Sequence, residues 1–159
     1  MMRSVALVPI FALLALGGCS DRTGAPAASL ASLSAPRPEN VSNSQLIGSW
    51  GVASYHSEKD RERTEGIARS QCKLPYKITR GPTDGVMMHV ADDATTHELR
   101  LKAGPGGKTY LGFEAPVGDP QDREVLAATG DKLVMRFINA ETDSRYGTYV
   151  YIRCSSQRA

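Results

Sequence analysis

The chain has 159 residues, of which 23% are charged and 6% aromatic, and its formal net charge at pH 7 is +2. This length allows one domain after a short leader, and not two. The small charge excess excludes the clustered basic surface that phosphate binding requires, so no nucleic-acid partner is predicted.

The first 18 residues have the pattern of a secretory signal peptide. Arg3 precedes an apolar run over residues 5–16, which is shorter than the about 20 residues that a transmembrane helix needs. The letters LGGC at residues 16–19 resemble the lipobox of bacterial lipoproteins. The resemblance implies that residues 1–18 are removed and that Cys19 is lipidated. The N-terminal lipid would then anchor the protein to a membrane, which is its first predicted partner.

Residues 19–44 are predicted to be a flexible tether that begins at the lipidated Cys19. They are rich in small residues and proline and have few apolar side chains with which to build a core. Ser20 stands where aspartate would retain a lipoprotein of enteric bacteria in the inner membrane. By that resemblance, the protein is expected in the bacterial cell envelope, at the outer membrane and facing the periplasm.

A single domain is predicted over residues 45–155. Its first strand is Ser49–His56, and residues 57–72 form a short, mostly solvated helix because they are dense in charge and good helix formers, with Ser57 as the N-cap. Further strands are predicted at about 75–80, 85–91, 96–102, 108–114, 123–128, 131–138 and 146–153. Glycine-rich turns separate several of them.

These elements predict a mainly β fold, a small antiparallel up-and-down β-barrel of about eight strands with one short helix after the first strand. Apolar residues alternate along several strands, as at Leu133, Met135 and Phe137. Closure of the barrel would remove the exposed strand edges that promote aggregation.

The start of the first strand carries a second resemblance. Leu46-Ile47-Gly48-Ser49-Trp50 is similar to the Gly-x-Trp opening of the lipocalin-like, or calycin, group. In that group a basic side chain of the last strand packs over the tryptophan at the closed end of the barrel. The resemblance therefore implies a structural pair of Trp50 and Arg153, and a cation stacked on an indole ring is favourable.

Cys72 and Cys154 remain once Cys19 is lipidated. An oxidising compartment favours a disulfide between them, and two buried thiols are the alternative. In a strict meander, however, the second and eighth strands run in the same direction. Cys72, before the second strand, and Cys154, after the eighth, would then lie at opposite ends of the barrel. A disulfide needs Cα atoms about 4.4–6.8 Å apart. A miscounted or irregular strand is the explanation we favour; a helix across the barrel mouth and an absent bond are the others.

No pattern in the sequence predicts catalysis, so the protein is predicted not to be an enzyme, and no catalytic residue or cofactor is assigned. His89 and His97 flank two aspartates across a predicted hairpin, but a structural metal site needs about four ligands, so no metal is predicted. Asp119, Asp122 and Glu124 are predicted to form a solvated acidic loop with Arg123.

Tyr149 and Tyr151 share one face of the last strand with Arg153. They either line the barrel interior, as a candidate ligand wall, or form an exposed contact strip. The preferred function is a non-enzymatic binding module for a small apolar ligand. The alternatives are an interaction protein of the periplasm, of the protease- or lysozyme-inhibitor type, and a structural envelope lipoprotein; possible partners are therefore such a ligand or another envelope protein.

Overall fold

Eight antiparallel strands form a closed up-and-down barrel in the computed structural model, which describes residues 41–155. The strands are β1 (Gly48–Tyr55), β2 (Tyr76–Arg80), β3 (Val86–His89), β4 (Thr96–Ala103), β5 (Thr109–Gly112), β6 (Arg123–Ala128), β7 (Lys132–Phe137) and β8 (Thr148–Arg153). Each strand pairs with the next, and β8 closes the barrel on β1. The predicted fold class is confirmed. The predicted signal peptide, Cys19 and most of the tether lie outside the described residues.

Three segments that contain an α-helix accompany the barrel within the described residues. The first, α1 (Asn43–Leu46), lies just before β1. The 16 residues after β1 comprise a 3-10 turn (Glu58–Asp60), α2 (Arg61–Ser70) and a second 3-10 turn (Gln71–Lys73). The third, α3 (Ala140–Tyr146), precedes β8. Within residues 41–155, no helix combines the length and apolar character needed to cross a bilayer.

The main core fills the barrel because apolar side chains alternate along the strands. Leu133, Met135 and Phe137 of β7 all point inward and are almost completely buried, as the alternation predicts. The other fully buried members of the core cluster include Leu46, Trp50, Val86, Met88, Leu99 and Leu111. Most of the barrel is therefore packed with side chains.

Helix α2 packs on the outside of the barrel, where it covers β1 and β8. The close approach depends on Gly51, since a Cβ atom at this position would lie 1.9 Å from the carbonyl oxygen of Ala68. Ala68 on the helix and Val150 on the outer face of β8 are fully buried. A second, smaller apolar layer thus holds the helix against the strands.

The disulfide between Cys72 and Cys154 is present, with a Cα–Cα distance of 5.5 Å. A miscounted strand is the wrong explanation for the apparent conflict, because the count of eight is confirmed. The helical segment does not cross the mouth either: it runs back along β1, so that β2 begins at Tyr76, opposite Trp50 near the start of β1. This return brings the residue before β2 to the same end as the residue after β8.

One end of the barrel is closed by Trp50 and Arg153. The Arg153 guanidinium lies 4.2 Å from the centroid of the indole ring, and it donates hydrogen bonds to the carbonyl oxygens of Gln45 and Ile47. The indole Nε1 donates to the carbonyl of Leu46 at 2.8 Å. Together these bonds fix the chain that enters the barrel over its closed end.

The acidic loop is not solvated throughout, contrary to the prediction. Asp122 has no exposed surface, and its carboxylate accepts hydrogen bonds from the backbone N–H groups of Gly118 and Asp119. The Lys102 ammonium lies 2.5 Å from Asp122 Oδ1 and its side chain is only 11% exposed. This largely buried ion pair ties the loop before β6 to β4, because breaking it would leave the Asp122 carboxylate buried without a counter-ion.

Candidate ligand cavity

A cavity of about 280 Å³ opens at the end of the barrel opposite Trp50 and Arg153. Side chains of β1, β2, β3, β6, β7 and β8, the loop after β3 and the end of α3 line it. Its walls are mostly apolar or aromatic and consist of Val52, Tyr76, His89, Val90, Ala91, Asp92, Arg123, Phe137, Tyr146, Tyr149 and Tyr151. Its volume is slightly below the about 300–1,000 Å³ of typical sites for drug-sized ligands.

The predicted wall residues Tyr149 and Tyr151 both line this cavity, with ring centroids 6.1 Å apart. Their inward direction follows from the register, which pairs them with Met135 and Leu133 of β7. Tyr149 also contacts Phe137, at 6.2 Å between ring centroids. Burial raises the pKa of both tyrosines, so they stay protonated and able to donate at neutral pH.

Tyr76 and His89 add polar groups to the wall beside Tyr151, whose ring centroid lies 6.2 Å from that of Tyr76. Their ring centroids are 5.6 Å apart, and the Tyr76 hydroxyl accepts a hydrogen bond from the backbone N–H of His89 at 2.9 Å. Burial raises the pKa of Tyr76 as well. The sequence reasoning did not select Tyr76, because it stands at the very start of a five-residue strand.

Arg123 is the one basic side chain of β6 that projects into the barrel. Its register neighbours are Leu111 of β5 and Phe137 of β7, both buried, and only 4% of its own surface is exposed. The guanidinium carbon lies 4.6 Å from the Phe137 ring centroid, and Nη2 donates to the carbonyl oxygen of His89 at 2.6 Å. The expectation that Arg123 belongs to a solvated loop is therefore wrong.

A polar contact spans the cavity mouth. Asp92, in the loop between β3 and β4, accepts hydrogen bonds from the hydroxyl of Tyr146 and from Arg145 on α3, the latter at 2.7 Å. The hydrogen bond from Tyr146, followed by the charge of Arg145, holds the pKa of Asp92 below its usual value. The mouth carboxylate is thus ionised and already paired.

The two histidines do not form a common site. His89 lines the cavity, whereas His97 contacts the Phe113 ring and the Asp93 carboxylate, with 2.8 Å between Nε2 and Oδ2. Across residues 41–155, no group of three or more metal-ligating side chains is arranged to hold an ion.

The barrel and its cavity were compared with known proteins. The all-antiparallel eight-stranded topology is consistent with a calycin-like fold. No protein-family model, curated protein or solved structure matches the chain.

Proposed function

We propose that the protein is a lipid-anchored, non-enzymatic binding module of the bacterial cell envelope, which holds a small and largely apolar ligand in its barrel. The observation that carries the proposal is the cavity at the open end. A barrel whose only role is structural has no need to keep apolar and aromatic side chains in contact with solvent at its open end, since burying such surface is favourable. Here instead Val52 and four tyrosines surround a volume of about 280 Å³.

Enlarging a wall residue tests the binding role. The neutral fluorescent probe N-phenyl-1-naphthylamine is expected to bind the wild-type domain at one site, with emission rising as it enters an apolar environment. The Val52→Phe variant is expected to weaken binding at least about tenfold, because the added ring occupies the cavity. Fluorescence titration measures the dissociation constant of the probe for the wild type and for the variant.

Val117→Phe provides the matched control, since Val117 is also half-buried but does not line the cavity. It is expected to bind the probe as the wild type does. Failure of the folded wild type to bind this probe, and any other small apolar compound in a solubility-matched panel, would overturn the binding role and favour a structural one.

Anchoring at Cys19 is a separate part of the proposal and has its own test. In a bacterial host, the full chain is expected to incorporate radiolabelled palmitate and to sediment with the outer-membrane fraction. Cys19→Ser should lose both properties, whereas Ser20→Ala should keep the label. A labelled Cys19→Ser chain, or an unlabelled wild type, would contradict lipidation at this position.

A further inference from the structure

We infer that the ligand of this cavity is a small organic monoanion, an aromatic carboxylate whose negative charge pairs with the guanidinium of Arg123. The inference rests on the proposed binding function and specifies the chemical class of its ligand. It follows from the state of Arg123 and from the composition of the surrounding walls.

Arg123 is a buried cation whose contacts within the described chain are all neutral. Its Nη2 donates to a backbone carbonyl, its charge acts on the hydroxyl of Tyr151, and its guanidinium lies over the ring of Phe137. None of the ion pairs found among residues 41–155 includes it. Burying a charge without a counter-ion is costly, and an anion bound in the cavity would supply the counter-ion that Arg123 lacks.

The guanidinium also has an unused donor. Its Nε is buried and has no hydrogen-bond partner within the described chain. Buried donors are normally satisfied, and a planar guanidinium with a free N–H is well suited to a carboxylate. Asp92 also lines the cavity, but its two oxygens are already bonded to Tyr146 and Arg145 at the mouth. The charge of Arg123 is therefore available to a bound anion.

The walls define the rest of the ligand. One uncompensated cation matches one negative charge, and the protonated hydroxyls of Tyr149 and Tyr151 add neutral donors without adding charge. The rings of Phe137, Tyr146 and Tyr149 lie within 6.0–6.5 Å of one another, which suits a flat apolar body. A volume of about 280 Å³ favours one or two fused rings over a long acyl chain.

Two isosteric probes separate this inference from the proposed function. The full wild-type chain, with its disulfide intact, is titrated calorimetrically with 2-naphthoate and with the neutral 2-naphthamide. The carboxylate is expected to bind about 10- to 100-fold more tightly, the range of a charge-assisted hydrogen bond. Equal affinities would overturn the inference and leave the binding function standing, whereas no binding of either compound would contradict the binding function itself.

Arginine variants assign the preference to one side chain. Arg123→Met is expected to bring the ratio of the two affinities to about one while 2-naphthamide still binds. Arg136→Met, which removes a half-exposed arginine of β7 that does not line the cavity, is the matched control and should keep the wild-type ratio. If Arg123→Met does not fold, Arg123→Lys provides the second test, with a reduced but measurable ratio. A ratio lost equally in both methionine variants would refute the role of Arg123.

A fatty acid carries the same head group, so laurate forms the last arm of the titration. It is expected to bind more weakly than 2-naphthoate because its chain exceeds the cavity. Tighter binding of laurate than of 2-naphthoate would overturn the assignment to a small aromatic carboxylate.

Discussion

Removal of the Cys72–Cys154 disulfide is expected to lower the free energy of unfolding of the domain by about 4 kcal/mol, because the bond closes a long loop in the unfolded chain. The two cysteines are 82 residues apart, and the loop between them contains seven of the eight strands, from β2 to the end of β8, and helix α3. Chemical denaturation of the Cys72→Ser/Cys154→Ser variant, compared with the wild type, measures the difference.

The same experiment under reducing conditions provides the control. Dithiothreitol should destabilise the wild type by an amount similar to the double substitution and should leave the double variant unchanged. A difference below about 1 kcal/mol between the wild type and the double variant would contradict the prediction, since even moderate native disulfides contribute about 2 kcal/mol.

Replacement of Lys102 by methionine is expected to destabilise the domain by about 3 kcal/mol, because it leaves the Asp122 carboxylate buried without its counter-ion. Lysine and methionine side chains are close in volume, so the loss of the positive charge accounts for most of the expected change in stability. Backbone N–H groups of Gly118 and Asp119 continue to satisfy one oxygen of Asp122, which places the expected cost at the lower end of the usual range. Urea denaturation with far-ultraviolet circular dichroism measures it.

Lys77→Met is the matched control, since Lys77 is exposed on β2, and it should change stability by less than about 0.5 kcal/mol. Adding Asp122→Asn to Lys102→Met should recover part of the lost stability, because the uncompensated charge is then removed. A Lys102→Met protein as stable as the wild type would show that the buried pair contributes nothing.

The barrel itself is predictable because its signals are local. Alternating apolar residues mark the strands, and glycine-rich turns separate several of them. Helix α3 was missed because seven residues are too few for helical periodicity, although Asn139 followed by Glu141 and Asp143 is a recognisable start signal. The return of the helical segment along β1 depends on tertiary packing, and the glycine at position 51 is its one local indication.

Local sequence signals also predicted part of the candidate site. Tyr149 and Tyr151 share one face of β8, as predicted, but the sequence left open which face is inward, because both faces of this strand carry buried apolar residues such as Val150 and Tyr151. Arg123 shares its face of β6 with the buried Val125, so alternation places it inside. The neighbouring acidic residues instead suggested a solvated loop, and a charge is rarely buried without a partner. Sequence patterns therefore do not predict a site that depends on a buried charge such as that of Arg123.

Both ends of the described chain lie at the closed end of the barrel. Val41 packs against the core beside α1, and the backbone N–H of Cys154 donates to Ser49 at the start of β1. Anything joined to either end, whether an anchor, a tag or a solid support, is attached opposite the mouth. A domain immobilised on a solid support through either end would therefore keep its ligand entrance open to the surrounding solution.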